Sequence, residues 1–599
     1  MCGISGVINK NNKSVEELLI HQMTNIIAHR GPDSSGSYLY KNIAFGHRRL
    51  SILDLSSSGH QPMKYLDDLV ITYNGEIYNF IEIREELIQK GYIFDSNSDT
   101  EVILKAYHFW GKTCVNYFNG MWSFSIIDIK QKIVFCSRDR FGVKPFYYIE
   151  NNDLFAFGSE ISQLLTFLPN KILNKKVALD YLISGIEECS NETFFKDIYL
   201  LKGGHNLVFD LQTNSYEIER YYNLKISDQK NTSVDDYIQE LKRSITLRLR
   251  SDVKVGTCLS GGIDSSTISS FASKLYQNSN EKFMAIHAKS SEYKSDESKF
   301  AKIVSKIANI NLNLVEPSYS DFKSNIQSII KIQQEPFGSL SIIMQYFVFK
   351  KAKELGCIVM LDGQGGDETL LGYERYYPAI VKSKKGIAKL KALLQSSKNS
   401  RLSLLDTIKY QYYFSNYKLR LKRLKFKNAF YKSEILNEYE SEELRIISES
   451  YNDISILQKN EIESSQLPHL LKYEDRNSMA NSIESRLPFL DYKLVELSLN
   501  TNNSLKIKDG WTKFILRKAA ETILPKEIVW RKTKLGFNAP EKTWTKEFEN
   551  EMIKEIEQSE ILNNFIHFKK LYFKNLDLRT KWRLYNFSVW EKEFKVKLN

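Results

Sequence analysis

Two apolar runs, each ending in a loop of glycine, hydroxyl and acidic residues, constrain this chain more than any other feature. In the first, Val253, Val255, Thr257 and Leu259 alternate as a strand does. Ser260-Gly261-Gly262-Ile263-Asp264-Ser265-Ser266 then opens a helix continuing through Thr267, Ile268 and Phe271. In the second, about a hundred residues on, Ile358-Val359-Met360-Leu361 runs into Asp362-Gly363-Gln364-Gly365-Gly366-Asp367-Glu368. The order strand, glycine turn, helix start predicts a doubly wound α/β sheet, with both loops beyond the carboxyl ends of their strands and facing one site. Small residues let the backbone approach an anion, a helix start favours phosphate oxygens, and Asp264 is placed to hold a magnesium ion. Either loop alone reads as a plain turn, but the pair does not. The chain contains no Walker A lysine motif.

A second set of short motifs lies at the other end. Cys2 follows Met1 in Met1-Cys2-Gly3-Ile4-Ser5-Gly6. Methionine is expected to be removed before a small side chain, which would leave Cys2 with both a thiol and an α-amine. An α-amine titrates at roughly 7.7–8.0, so it can serve as base for the adjacent sulfur. Ser14 and Glu17 read as a capping box opening an amphipathic helix with Val15, Leu18, Leu19, Met23, Ile26 and Ile27 on one face, stopped by Gly31-Pro32 after His29-Arg30. In His47-Arg48-Arg49-Leu50-Ser51-Ile52 a guanidinium at a strand start can pair with a carboxylate. Tyr73-Asn74-Gly75-Glu76-Ile77-Tyr78-Asn79 follows the apolar strand Leu69 to Ile71, and Asn-Gly there reads as a turn by default. Asn79, with Glu82 three positions on, reads as the cap of the next helix.

These motifs resemble the glutamine amidotransferase domain of the N-terminal-nucleophile class, specifically that of glutamine-hydrolysing asparagine synthetases, over roughly residues 2 to 205. The resemblance implies a four-layer αββα sandwich in which Cys2 attacks the side-chain amide of glutamine. It gives Asn74 and the Gly75 N–H the oxyanion. Arg49 with Leu50, Ser51, Ile52 and Leu53 would grip the substrate carboxylate, and Glu76 and Asp99 its ammonium. The likeness continues in the glycine loops, which resemble those of enzymes that split ATP between its α and β phosphates and leave AMP on a carboxylate. It implies ATP contacts from Leu259, Ser260, Gly261, Gly262, Asp264, Ser265, Ser266, Ile286, Asp362 and Gly363, and Mg2+ on Asp264 and Asp367. Lys513 would steady charge on the adenylate and pyrophosphate. Tyr473 to Met479 and Ser482 to Asp491 match the family's acceptor-side helices. The implied reaction takes glutamine, ATP and aspartate to asparagine, glutamate, AMP and pyrophosphate.

One position departs from the pattern. At Gln364, in the acyl-adenylate site, the family usually carries glutamate; glutamine can hydrogen-bond there but cannot accept a proton near neutrality. The departure leaves open another carboxylate acceptor, such as a uronic acid of surface-polysaccharide synthesis. A more distant alternative is a glutaminase or nucleotide-binding relic without synthesis.

At 599 residues the chain is long enough for two cores. The domains are expected at 2–210 (glutaminase) and 232–599 (synthetase), with a basic helical insertion near 382–427. That insertion holds fourteen Lys or Arg against Asp406 alone, and so carries the whole net charge of +12. Helices with basic outer faces are expected there, solvated or meeting an anionic partner. No apolar stretch is long enough for a membrane span. The six cysteines form no zinc pattern and are expected reduced. Cys258 reads as packing. A cytoplasmic enzyme is expected, a homodimer is possible, and no nucleic-acid-binding module is seen.

Overall fold

The computed structural model describes residues 2–227, 232–276, 281–293, 295–532 and 539–599. The N-terminal half is built on two six-stranded antiparallel sheets. The strands of the first are β1 (Gly3–Asn9), β2 (Ser34–Tyr40), β3 (Ile43–Arg49), β8 (Tyr147–Glu150), β9 (Leu154–Gly158) and β10 (Ile198–Leu200), in the order β10-β8-β9-β1-β3-β2. The second holds β4 (Met63–Tyr65), β5 (Leu69–Ile77), β6 (Gly120–Asp128), β7 (Ile133–Arg138), β11 (His205–Asp210) and β12 (Ser215–Arg220), in the order β12-β11-β7-β6-β5-β4. Strand alternation explains the layering. Ile4 and Ile8 of β1 meet Val70, Ile127 and Val134 of the opposite sheet in one core. Val7, between them, faces Ile20 and Met23 of the helix Glu17–Ile26. On the far side Leu69, Ile71 and Tyr73 of β5 pack on the helices Phe80–Gln89 and Asp99–Trp110. The result is helix, sheet, sheet, helix.

The C-terminal half carries a parallel five-stranded sheet. Its strands are β13 (Val255–Cys258), β14 (Met284–Ala288), β15 (Asn311–Val315), β16 (Val359–Leu361) and β17 (Glu484–Arg486), in the order β15-β14-β13-β16-β17. The chain starts in the middle and winds outward both ways, so the order reverses beside β13, and the loops after β13 and β16 sit at the switch point.

Several local expectations are corrected. The first helix begins at Glu17 with no side-chain cap; Ser14 instead gives its carbonyl to Asn9. Leu18 and Ile26 are exposed, and Ile20 takes the buried place. Arg49 ends β3 rather than starting a strand. Asn74-Gly75 is no turn, because β5 runs on to Ile77 with Asn74 opposite Ser123 and Gly75 opposite Trp122. Asn79 does not cap its helix with its side chain, which bonds Tyr117 and Asn119 across the loop. Ser482 to Asp491 forms β17 and a short 3-10 turn, not a helix, because pairing with β16 satisfies its backbone.

The two halves meet through buried charge. Arg30 makes a bidentate pair with Asp475 (2.8 and 3.1 Å) and reaches Glu160 at 3.1 Å; Arg476 returns to Glu160 at 3.2 Å. Each of these side chains is almost wholly buried. No helix among the described residues is long and apolar enough to cross a membrane.

Candidate active sites

The first site is a small cleft lined by Cys2, Arg49, Leu50, Ile52, Leu53, Gly75, Glu76 and Asp99. Eight residues that the resemblance singles out, scattered from position 2 to position 99, therefore line one cleft. Asn74 lies behind it: its Oδ1 accepts the backbone N–H of Cys2 at 3.1 Å, which aims its Nδ2 elsewhere, and that buried donor has no partner among the described residues. Gly75 is required, since a Cβ there would stand 2.1 Å from the carbonyl oxygen of Met121. Burial pushes the Cys2 thiol up, and nearby Arg49 opposes the shift. Arg49 donates to the carbonyls of Ser56 (2.7 Å), Leu53 and Asp54, and lies flat on Gly59, where a Cβ would meet its Nη2 at 2.1 Å.

At the other end two buried carboxyls stand together. Asp99 accepts from the Tyr73 hydroxyl (2.8 Å) and the Ile77 N–H (2.9 Å), and burial raises it to about 6. Glu76 is pushed well above the usual carboxylate range by burial and by Asp99; one oxygen faces Arg486 at 3.5 Å and the other has no hydrogen-bond partner among the described residues. Such a pair is suited to a cation. Ser51 falls outside the lining. Gln61 and Tyr73 were not anticipated: Gln61 receives the Tyr73 N–H at 2.7 Å and donates to Thr100 at 3.2 Å, cross-bracing the cleft. No motif marks Gln61 in the sequence.

The second site is a cavity of about 1070 Å³. Ser260, Asp264, Ser265, Asp362, Gly363, Gln364, Asp367 and Lys513 line it, so both glycine loops face one space. The helix Ile263–Leu275 begins within the first loop, where Ser260 and Ser265 join their hydroxyls at 2.9 Å. Lys513, buried and held at φ 53°, bonds both oxygens of Asp264 (2.6 Å each) and meets Asp367 at 2.7 Å. Gly372 makes room for this cluster, since a Cβ there would lie 2.0 Å from Asp367 Oδ1 and 2.1 Å from Lys513 Cε. Among the described residues no three ligating side chains converge on one point. Two carboxylates nonetheless suit Mg2+, which keeps waters and takes its remaining ligands from phosphate.

Asp362 is raised to about 6 by burial and bonds the Cys258 thiol, so Cys258, read from sequence as packing, lines the cavity. Leu259 and Ile286 are fully buried in the cores behind it, joined by a 2.9 Å backbone bond. Gly261, Gly262 and Ser266 shape the loop without lining the cavity. The rim was not anticipated: Arg375 comes from just past the second glycine loop, Arg401, Arg579 and Arg583 from distant segments, and Ser184 and Glu187 from the N-terminal half.

The family model for a glutamine amidotransferase domain matches residues 1–222, and that for asparagine synthase matches residues 236–591. The chain is 33% identical over 595 residues to asparagine synthetase [glutamine-hydrolyzing] 1 of Bacillus subtilis, covering 95% of this chain and 91% of that one. It is 37% identical over 404 residues to putative asparagine synthetase [glutamine-hydrolyzing] 2 of Methanocaldococcus jannaschii, covering 62% and 76% of the two chains. It is also 25% identical over 613 residues to amidase chyE of Penicillium rubens, covering 91% and 89%.

Proposed function

The chain belongs to the asparagine synthase family, and on that premise we propose that it hydrolyses glutamine at Cys2 and uses the ammonia to amidate aspartate through a β-aspartyl-AMP. Glutamine enters the cleft with its carboxylate toward Arg49 and its ammonium between Glu76 and Asp99. Opposite charges at the two ends select a free amino acid over a protein side chain. The freed α-amine of Cys2 takes the thiol proton, sulfur attacks the amide carbon, and the oxyanion rests on Asn74 Nδ2 and the Gly75 N–H. Loss of one such donor typically costs about 3–4 kcal/mol of barrier. Ammonia leaves with the proton, and water releases glutamate from the thioester.

In the second site the acceptor carboxylate attacks the α-phosphorus of ATP and pyrophosphate departs. Asp264 and Asp367 would hold Mg2+, which would neutralise phosphate charge, while Lys513 tethers both carboxylates and offers its ammonium to the leaving group. Ammonia then attacks the acyl carbon and AMP leaves. Gln364 stays neutral, so the proton shed by ammonia passes to water or to the AMP phosphate.

The observation carrying this reading is Arg486. Its guanidinium reaches Glu76 of the first cleft, and its carbonyl accepts the Asp362 N–H of the second at 3.0 Å. One residue of β17 thus spans from site to site, which suits internal delivery of ammonia. Incubation with ATP, Mg2+ and glutamine, with and without aspartate, tests the proposal: pyrophosphate and asparagine should both require aspartate. Glutamate release without aspartate-dependent pyrophosphate would reject aspartate as acceptor. Gln364 and the arginine rim favour a second reading, a larger acidic acceptor such as a uronic acid, which the same assay separates by mass of the amide.

A further inference from the structure

We propose that the basic insertion is a surface that seats on anionic lipid. It folds as three consecutive helices, Gly386–Asn399, Leu404–Phe414 and Tyr417–Lys427, and each packs on the next. The second and third helices are anchored inward: Phe414, with Leu402 just before the second helix, packs on one core, and Leu421 and Leu424 on another. The outer faces depart from expectation, since each carries apolar side chains at helical spacing pointing into solvent.

On the first helix Ile387, Leu390 and Leu394 are 85%, 62% and 60% exposed at positions i, i+3 and i+7. On the second, Leu405, Ile408 and Tyr412 repeat the spacing at 67%, 40% and 67%. On the third, Leu419 and Phe426 stand seven apart, Phe426 83% exposed. A solvated cover would put polar residues at these positions, and large apolar groups clustered on a monomer's surface mark a contact.

The chemistry of the partner follows from charge. The segment 382–427 carries fourteen cations and one acid. Lys384, Lys385, Lys389, Lys391, Lys409 and Lys422 are exposed with no carboxylate within 4 Å among the described residues, whereas Lys427 pairs with Asp577. A second copy of this chain would oppose the same excess of positive charge, and a polynucleotide would use the lysines but not the aliphatic stripes. An anionic bilayer uses both: headgroups meet the lysines while Leu, Ile and Phe enter the acyl boundary. The same segment supplies Arg401, Leu424 and Lys427 to the synthetase cavity, so seating there would hold that cavity beside the lipid.

The experiment is sedimentation of the full-length protein with vesicles of phosphatidylcholine, with or without phosphatidylglycerol, at low and high salt. Binding should need phosphatidylglycerol, weaken with salt, and fall more than about tenfold both in Lys384→Gln/Lys385→Gln/Lys389→Gln/Lys391→Gln and in Ile387→Ser/Leu390→Ser/Leu394→Ser/Phe426→Ser. Glutamine hydrolysis and melting temperature should be unchanged in both variants, the second of these reporting that the insertion stays folded. Absence of vesicle binding overturns the proposal, as does undiminished binding by the aliphatic variant. A shift from dimer to monomer in that variant without vesicle binding would assign the stripes to self-association and equally overturn it.

Discussion

Arg486, in the C-terminal half, lies 3.5 Å from Glu76, which lines the cleft of the N-terminal half. The same guanidinium is bonded to Glu484 and to the carbonyls of Arg248 and Arg250, with no exposure to water. Arg486→Met should therefore leave two buried carboxyls without their cation, a loss of roughly 3–5 kcal/mol readable by thermal or urea denaturation. Glutamine-dependent synthesis should fall further than ammonia-dependent synthesis, because the carbonyl bond to Asp362 survives the substitution. Equal loss of the two activities would reject the coupling.

The paired carboxyls predict a pH effect of definite sign. Burial holds Asp99 at about 6, above its ordinary value, and raises Glu76 as well. A carboxyl raised on folding contributes stability that is present at low pH and declines as pH rises through the folded value. A bound ammonium reverses this by favouring the ionised forms. The increase in melting temperature given by glutamine to Cys2→Ala protein should thus grow from about pH 5 to about pH 7.5. Asp99→Asn should flatten the profile and raise KM for glutamine.

The two chemistries should separate by mutation. Cys2→Ala is expected to abolish glutaminase and glutamine-dependent synthesis while sparing synthesis from added ammonia. Asp264→Asn should do the reverse, ending pyrophosphate release and leaving glutamine hydrolysis in place. Paired glutaminase and pyrophosphate assays check both, and product formation by Asp264→Asn would remove the metal role assigned there.

Gly372→Ala is a subtler probe. The added methyl would overlap both Asp367 and Lys513, so the bridge from Lys513 to Asp264 and Asp367 must shift. Pyrophosphate release should fall by about a hundredfold or more, as when reacting groups are displaced by an ångström, with glutaminase rate and melting temperature little changed. Retained synthesis would show that the bridge tolerates displacement.

What could be read in advance followed from how local the signal was. The strand, glycine loop and helix at Ser260 to Ser266 are carried by contiguous residue types, whereas the grouping of Arg49, Glu76 and Asp99 was legible only through the family resemblance, and the structure brings the three to one cleft. Helix starts were misread at Ser14 and Asn79 because a capping residue type does not say whether its side chain turns to its own helix or to a neighbouring loop. Asn74-Gly75 looked like a turn because local preference favours one, whereas pairing with β6 overrides it. Arg30 and Asp475, 445 positions apart, are joined only by tertiary packing. The outward stripes of the insertion show the same limit: periodicity reveals a face and not the direction in which it points.

The knot formed by Arg30 and Glu160 from one half with Asp475 and Arg476 from the other bears on how such a protein can be recombined. A chimera joining this glutaminase to the synthetase of a relative receives two strands of a four-stranded tie, and its desolvated charges find partners only where the donor happens to supply them. Exchange of a single half is thereby disfavoured unless the matching charges travel with it.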